Sequence, residues 1–139
     1  MDVKLNTVKQ VSLESVKRMA QAAEAKAEEI KVPIVFAAVD TGGNLMLLHR
    51  MEEAFFTSVE IAINKAFTSV ALKASTDTIA PLVQPGESLY GLELSNNCKI
   101  VPFGGGFPIV VDGDIVGAVG VSGGSVEEDM AIARAALNM

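Results

Sequence analysis

Within the 139 residues there is a single histidine, His49. A neutral imidazole is a common protein ligand for iron and other transition metals, so this residue is the first candidate for chemistry. It stands in Leu45-Met46-Leu47-Leu48-His49-Arg50. On an extended chain it shares parity with Leu45 and Leu47 and is expected to face the same, apolar side. The competing reading is a strand-end imidazole hydrogen-bonded at the surface or at a subunit contact. Arg50 and Lys65 are the cations suited to a carboxylate, because both donate charge-assisted hydrogen bonds. Lys65 lies among Ile61, Ile63, Ala66 and Phe67, so part of its stem is expected to be buried; the alternative partner is Glu52 or Glu60 in a salt bridge. Gly104-Gly105-Gly106 can present backbone N–H groups to an anion or serve only as a tight turn. Gly123-Gly124 precedes a helix start, but Glu127, Glu128 and Asp129 already complement that helix dipole.

Other chemistries find less support. Met46 and Met51 are soft donors, although methionine more commonly fills core gaps. Ser122 lies in Val121-Ser122-Gly123, which is not the G-x-S-x-G turn of a serine hydrolase, and a triad would have to recruit His49. The carboxylates Glu52, Glu53, Glu127, Glu128 and Asp129 lack the spacing of a calcium loop. Cys98 is the only cysteine, which excludes an intrachain disulfide and a thiolate zinc site within one chain.

The elements that must position these residues are legible from periodicity. A helix is expected from Ser12 as N-cap to about Lys31, with Val16, Met19, Ala20, Ala23 and Ala27 on one side. Pro33 then opens Ile34 to Val39, apolar on both parities; Thr41-Gly42-Gly43-Asn44 turns, and Leu45 to Arg50 returns as a strand. Phe56 to Lys73 reads as a second, well-buried helix, and a short turn or helix is expected over Thr76 to Leu82. Ser88 to Asn97 reads as irregular. A second hairpin joins Pro108–Val111 to Ile115–Ser122 through Asp112-Gly113. Ser125 and Glu128 match a capping box that opens the last helix. Strands apolar on both faces require helices on both sides of the sheet, which gives a layered α/β/α sandwich. Gly117 and Gly120, inside a strand, are expected where a helix or ligand approaches closely.

Composition bounds the rest. The chain fits one domain, residues 1–139, and half of it is hydrophobic, enough for a core without metal or disulfide support. The net charge of −6 and the lack of a Lys/Arg cluster argue against nucleic acid and anionic membranes as partners. The N-terminal residues lack an apolar signal-peptide core, and no apolar run is long enough to span a bilayer, so a cytoplasmic protein is expected.

Six segments together resemble the GlcG/HbpS-like family. They are Val39-Asp40-Thr41-Gly42-Gly43-Asn44-Leu45, Arg50-Met51-Glu52-Glu53-Ala54, Asn64-Lys65-Ala66, Phe103-Gly104-Gly105-Gly106-Phe107-Pro108-Ile109, Gly117 to Gly124, and Glu128-Asp129. They fall in order over about residues 33–135. The second segment carries Glu where the family has Asp. The resemblance implies a profilin-like three-layer fold with a central antiparallel sheet, and homo-oligomers. It implies kinship with the C-terminal domain of PduO-type corrinoid adenosyltransferases, and with stand-alone chains near diol or glycerol metabolism. The adenosyltransferase domain and the G-x-x-x-x-G-K-[ST] loop are absent here, so adenosyl transfer does not follow. Some members bind haem, and one branch senses and degrades it. Haem or another tetrapyrrole is therefore the expected ligand, with His49 as iron ligand, Arg50 or Lys65 toward a propionate, and Gly104, Gly105 and Gly106 as a loop beside the pocket. The alternatives are an accessory oligomeric protein without cofactor and a small-molecule, haem-degrading enzyme.

Overall fold

The computed structural model describes residues 1–139. Helix α1 (Leu13–Ile30) starts where Ser12 caps it, the serine oxygen accepting from the Ser15 N–H. Its buried stripe is Val16, Ala20, Ala23 and Ala27. Lys31 adopts the left-handed conformation, and its N–H closes on the Ala27 and Glu28 carbonyls, which ends the helix ahead of Pro33. Strands β1 (Val35–Val39) and β2 (Leu45–Arg50) form the first hairpin, helix α2 (Thr57–Leu72) follows, and β3 (Gly106–Val111) and β4 (Asp114–Ser122) form the second. Helix α3 (Val126–Ala136) closes the chain with the expected capping box between Ser125 and Glu128.

All strand pairs are antiparallel, and the sheet order is β2-β1-β4-β3. The two hairpins join through β1 and β4, so β2 and β3 are the edges. The residues of β1 are all fully buried, because helices cover both faces. Phe36 and Ala38 face α1 and α3 with Val119, Val121 and Ile132, whereas Val35 and Ala37 face α2 with Ala62, and Val39 meets Ala66 and Val70. Burying Phe36 alone contributes about 2–3 kcal/mol. The α/β/α sandwich expected from two-sided apolar strands is the architecture observed.

Local chemistry fixes the turns. The Asp40 carboxylate accepts from the Gly42 N–H, the Asn44 N–H and the Asn44 side-chain amide, which ties the first hairpin. These bonds, the one from the Asn44 N–H foremost, hold Asp40 below the usual carboxylate range. Asp112 and Gly113 both have positive φ, the two-residue turn that matches strand twist. Gly120 faces α2, where a β-carbon would overlap the Ala62 carbonyl oxygen; the close approach expected for it is to this helix. Residues 73–103 cross the end of α2 in short 3-10 turns, over Thr76–Thr78, Ala80–Val83, Leu92–Leu94 and Asn96–Cys98. Thr68 and Thr76 secure that crossing: the Thr68 hydroxyl accepts from the Val101 N–H, and the Thr76 hydroxyl accepts from the Gly106 N–H. No helix is long and apolar enough to cross a membrane.

Candidate functional site

His49 sits near the end of edge strand β2, opposite Phe36, and so projects on the face that carries α1. Its Nδ1 lies 2.6 Å from Glu24 Oε1, and the two side chains are 44% and 31% exposed. Glu24 flanks the buried stripe of α1, between Ala23 and Ala27, which brings its carboxylate to the rim of the helix over β2. An ionised carboxylate only accepts hydrogen bonds, so this contact puts the imidazole proton on Nδ1 and leaves Nε2 with its lone pair. Nε2 has no hydrogen bond within the chain. Arg50 is opposite Val35 and projects on the other face, where its guanidinium donates to the Ala54 carbonyl at 3.3 Å.

Lys65 is wholly buried. Its Nζ donates to the Val121 carbonyl at 2.8 Å and to Asp129 Oδ2 at 2.9 Å, and stands 5.0 Å from the centre of the Phe103 ring. Asp129, at the start of α3, also accepts from the Gly124 N–H through Oδ1. The ion pair therefore joins α2, on one face of the sheet, to α3 on the other. Burial pulls the Lys65 ammonium below the ordinary lysine range, against the attraction of Asp129. Burial likewise raises the Asp129 carboxyl, against the opposing pull of Lys65 and of the Gly124 N–H. With these partners the Lys65 ammonium does not reach the surface, and the expected salt-bridge partners Glu52 and Glu60 are replaced by Asp129. The partial burial read from its neighbours is complete burial.

The three loop glycines pack against this pair. A β-carbon on Gly105 would lie 2.7 Å from Lys65 Nζ, one on Gly104 would lie 2.5 Å from the Met130 sulfur, and one on Gly106 would overlap the Lys65 carbonyl oxygen. Gly105 also has φ +126°, which disfavours any side chain. The Gly106 N–H is taken by Thr76, and the Gly105 carbonyl accepts from the Val121 N–H. In this chain the triple glycine makes room for α2, α3 and the lysine between them.

The sequence-derived candidates thus separate into two groups. Lys65 and Gly104–Gly106 come together around Asp129 at the β3 edge; His49 and Arg50 lie on β2, the opposite edge. Two strands intervene, a separation of about 14 Å at the usual inter-strand spacing. One pocket flanked by both the β2 end and the glycine loop is not formed within a single chain. Met46 and Met51 pack against the α1-side core, and Ser122 bonds Ser58 inside the protein. No group of three or more His, Cys, Asp or Glu side chains is arranged to hold a metal. The largest cavity, about 580 Å3, lies by the β3 edge among Met19, Phe107, Ile109, Val111, Leu137 and Met139, away from His49. Glu24 was not singled out in the sequence, and Asp129 was read there only as a helix-start carboxylate and part of a family motif, since each meets its partner across a long stretch of chain.

The comparisons with known proteins agree with this architecture. A family model described as "Haem degrading protein HbpS-like" matches residues 11–138. A 15.0 kDa protein in the dhaT-dhaS intergenic region of Citrobacter freundii is 54% identical over 92% of this chain and 90% of its own length. The corrinoid adenosyltransferase PduO of the same organism is 42% identical over 91% of this chain, but the match spans only 38% of PduO. A solved structure of a PduOC:heme complex superimposes with a TM-score of 0.90 at 41% identity, covering 93% of this chain and 94% of that one.

Proposed function

The chain belongs to the HbpS-like family, and from that footing we propose that it binds a tetrapyrrole, haem in the first instance, with His49 as the iron ligand. The observation that carries the reading is the likeness, along nearly the whole chain, to a protein solved with haem. The donor chemistry of His49 fits the group. The imidazole is half exposed, one nitrogen is held by Glu24, and the other makes no hydrogen bond within the chain. Haem iron bound there would supply a redox-active centre with a further coordination position. The chain's own residues would orient the imidazole and offer the apolar side chain of Leu47 on the same face; the register shift in β2 turns Leu45 toward the other face, opposite Val39. Neither sequence-derived cation stands beside His49 in one chain, since Arg50 projects on the other face of β2 and Lys65 is held by Asp129.

A homo-oligomer belongs to the same reading. Leu45 at one sheet edge and Val110 and Val111 at the other are all about half exposed, and apolar edges of this kind suit burial against another copy. A macrocycle at His49 would rest on an open edge in one chain and would gain its second wall from a neighbour. The Citrobacter relative's place between dhaT and dhaS supports the diol or glycerol setting that the sequence resemblance implies.

The test is a haemin titration of the full chain followed by absorption. Stoichiometric uptake with a shifted Soret band is expected. The absence of uptake would overturn the proposal and favour an accessory protein without cofactor. A Soret band that forms and then decays under reductant would add a degrading activity to the binding.

A further inference from the structure

We propose that Glu24 is the positioning residue of the haem-iron site: it holds His49 in the Nδ1–H tautomer and so keeps the lone pair on Nε2. The inference rests on the haem-binding reading of His49 and adds to it the residue that sets the ligand's protonation and direction.

The geometry is specific. Nδ1 and Glu24 Oε1 are 2.6 Å apart, within the range of a short charge-assisted bond, and the carboxylate comes from a different element, 25 residues earlier in the chain. Neutral imidazole side chains in water favour the other tautomer, with the proton on Nε2. That form would carry an N–H, not a lone pair, on Nε2. Glu24 reverses the preference by accepting from Nδ1. Metal-bound histidines commonly carry such a carboxylate on the remote nitrogen, where it fixes ring orientation and makes the ligating nitrogen more basic. A purely structural tie between α1 and β2 explains the contact less well. Both side chains are exposed enough for water to screen the attraction, so the pair contributes little to stability.

The experiment has two arms. In the first, long-range nitrogen–proton correlation spectra of the nitrogen-labelled, haem-free chain are recorded in mildly alkaline solution. His49 is the sole histidine, so assignment is unambiguous. Wild type is expected to show the Nδ1–H tautomer, Glu24→Ala to revert to predominantly Nε2–H, and Glu24→Gln, whose amide oxygen can still accept, to fall between them. A wild-type spectrum dominated by Nε2–H overturns the inference whatever haem does. In the second arm haemin is titrated into the same three proteins. Glu24→Ala is expected to bind about 10- to 100-fold more weakly, with partial rescue by Glu24→Gln and unchanged thermal unfolding of the haem-free proteins. Equal affinity in wild type and Glu24→Ala overturns the positioning role. If wild type takes up no haemin, the ligand role of His49 fails with it, and the first arm still decides whether Glu24 sets the tautomer.

Discussion

At the scale of single residues, Lys65 and Asp129 give the sharpest expectation. Breaking a buried pair by removing one partner strands the other charge at a cost of about 3–5 kcal/mol. The two removals should also tilt stability in opposite directions with pH. In Asp129→Asn the lysine keeps its burial penalty and loses its opposing attraction, so its folded pKa falls further below the ordinary 10.5. Between that depressed value and 10.5 the unfolded chain binds more protons than the folded one, so stability rises with pH and is lost as pH falls through the window. In Lys65→Met the Asp129 carboxyl is left with its burial and rises further above the ordinary 3.8. Between 3.8 and that raised value the folded chain holds the extra proton, so stability is greatest at low pH and falls as pH rises. Urea unfolding of both variants across pH measures the two slopes; slopes of equal sign would contradict a mutually compensating pair. The sequence made the burial of Lys65 legible, because apolar residues surround it on α2. It gave no sign of the partner, since Asp129 is 64 positions away on a different layer and reads locally as a helix-start acid. The same is true of Glu24 for His49. Side-chain pairs between layers are set by tertiary packing, which local periodicity does not encode.

At the scale of elements, turn and cap chemistry carried most of the information. The Ser125–Glu128 box, the Asp112-Gly113 turn and the stop before Pro33 are local devices, and each appears where the residue pattern put it. Ser125→Ala should lower stability by about 0.5–2 kcal/mol, read as a shift in thermal midpoint, through loss of the hydroxyl acceptor for the Glu128 N–H. The boundary that moved is the start of β3. Pairing begins at Gly106 opposite Gly120, two residues before Pro108, because glycine carries no strand preference of its own and is recruited by its neighbours. Those two glycines share a cause, the close seating of α2. Gly120→Ala is accordingly expected to be severely destabilising, by about 3 kcal/mol or more, since its β-carbon meets backbone that cannot swing aside. Denaturation of this variant at near wild-type midpoint would contradict the packing of α2 on β4.

At the scale of the whole molecule, two-sided apolar strands were enough to specify helices on both faces, and the sheet order follows from joining the hairpins by their most buried strands. The candidate site was less legible: sequence parity placed His49 correctly on the face of Leu47, but no local rule told that β2 and the glycine loop end on opposite edges. The molecule therefore presents two functional-looking regions, a sealed cation–carboxylate pair inside one edge and an open imidazole on the other. The open edge suits assembly, and light scattering at micromolar concentration is expected to return at least a dimer mass; a monomer alone would count against the shared-wall arrangement. The central claim is that the open imidazole takes iron. Its most direct test is the ferric haem spectrum and affinity of wild type beside His49→Ala. Because His49 is exposed, the substitution leaves the core intact, and haem-free unfolding curves of the two proteins should coincide. The account predicts one equivalent of haem with a shifted Soret band in wild type, and at least a tenfold weaker complex with an altered band in the variant. Identical spectra and equal affinity in the two proteins would contradict it and move the iron elsewhere, with the cavity beside β3 the first place to look.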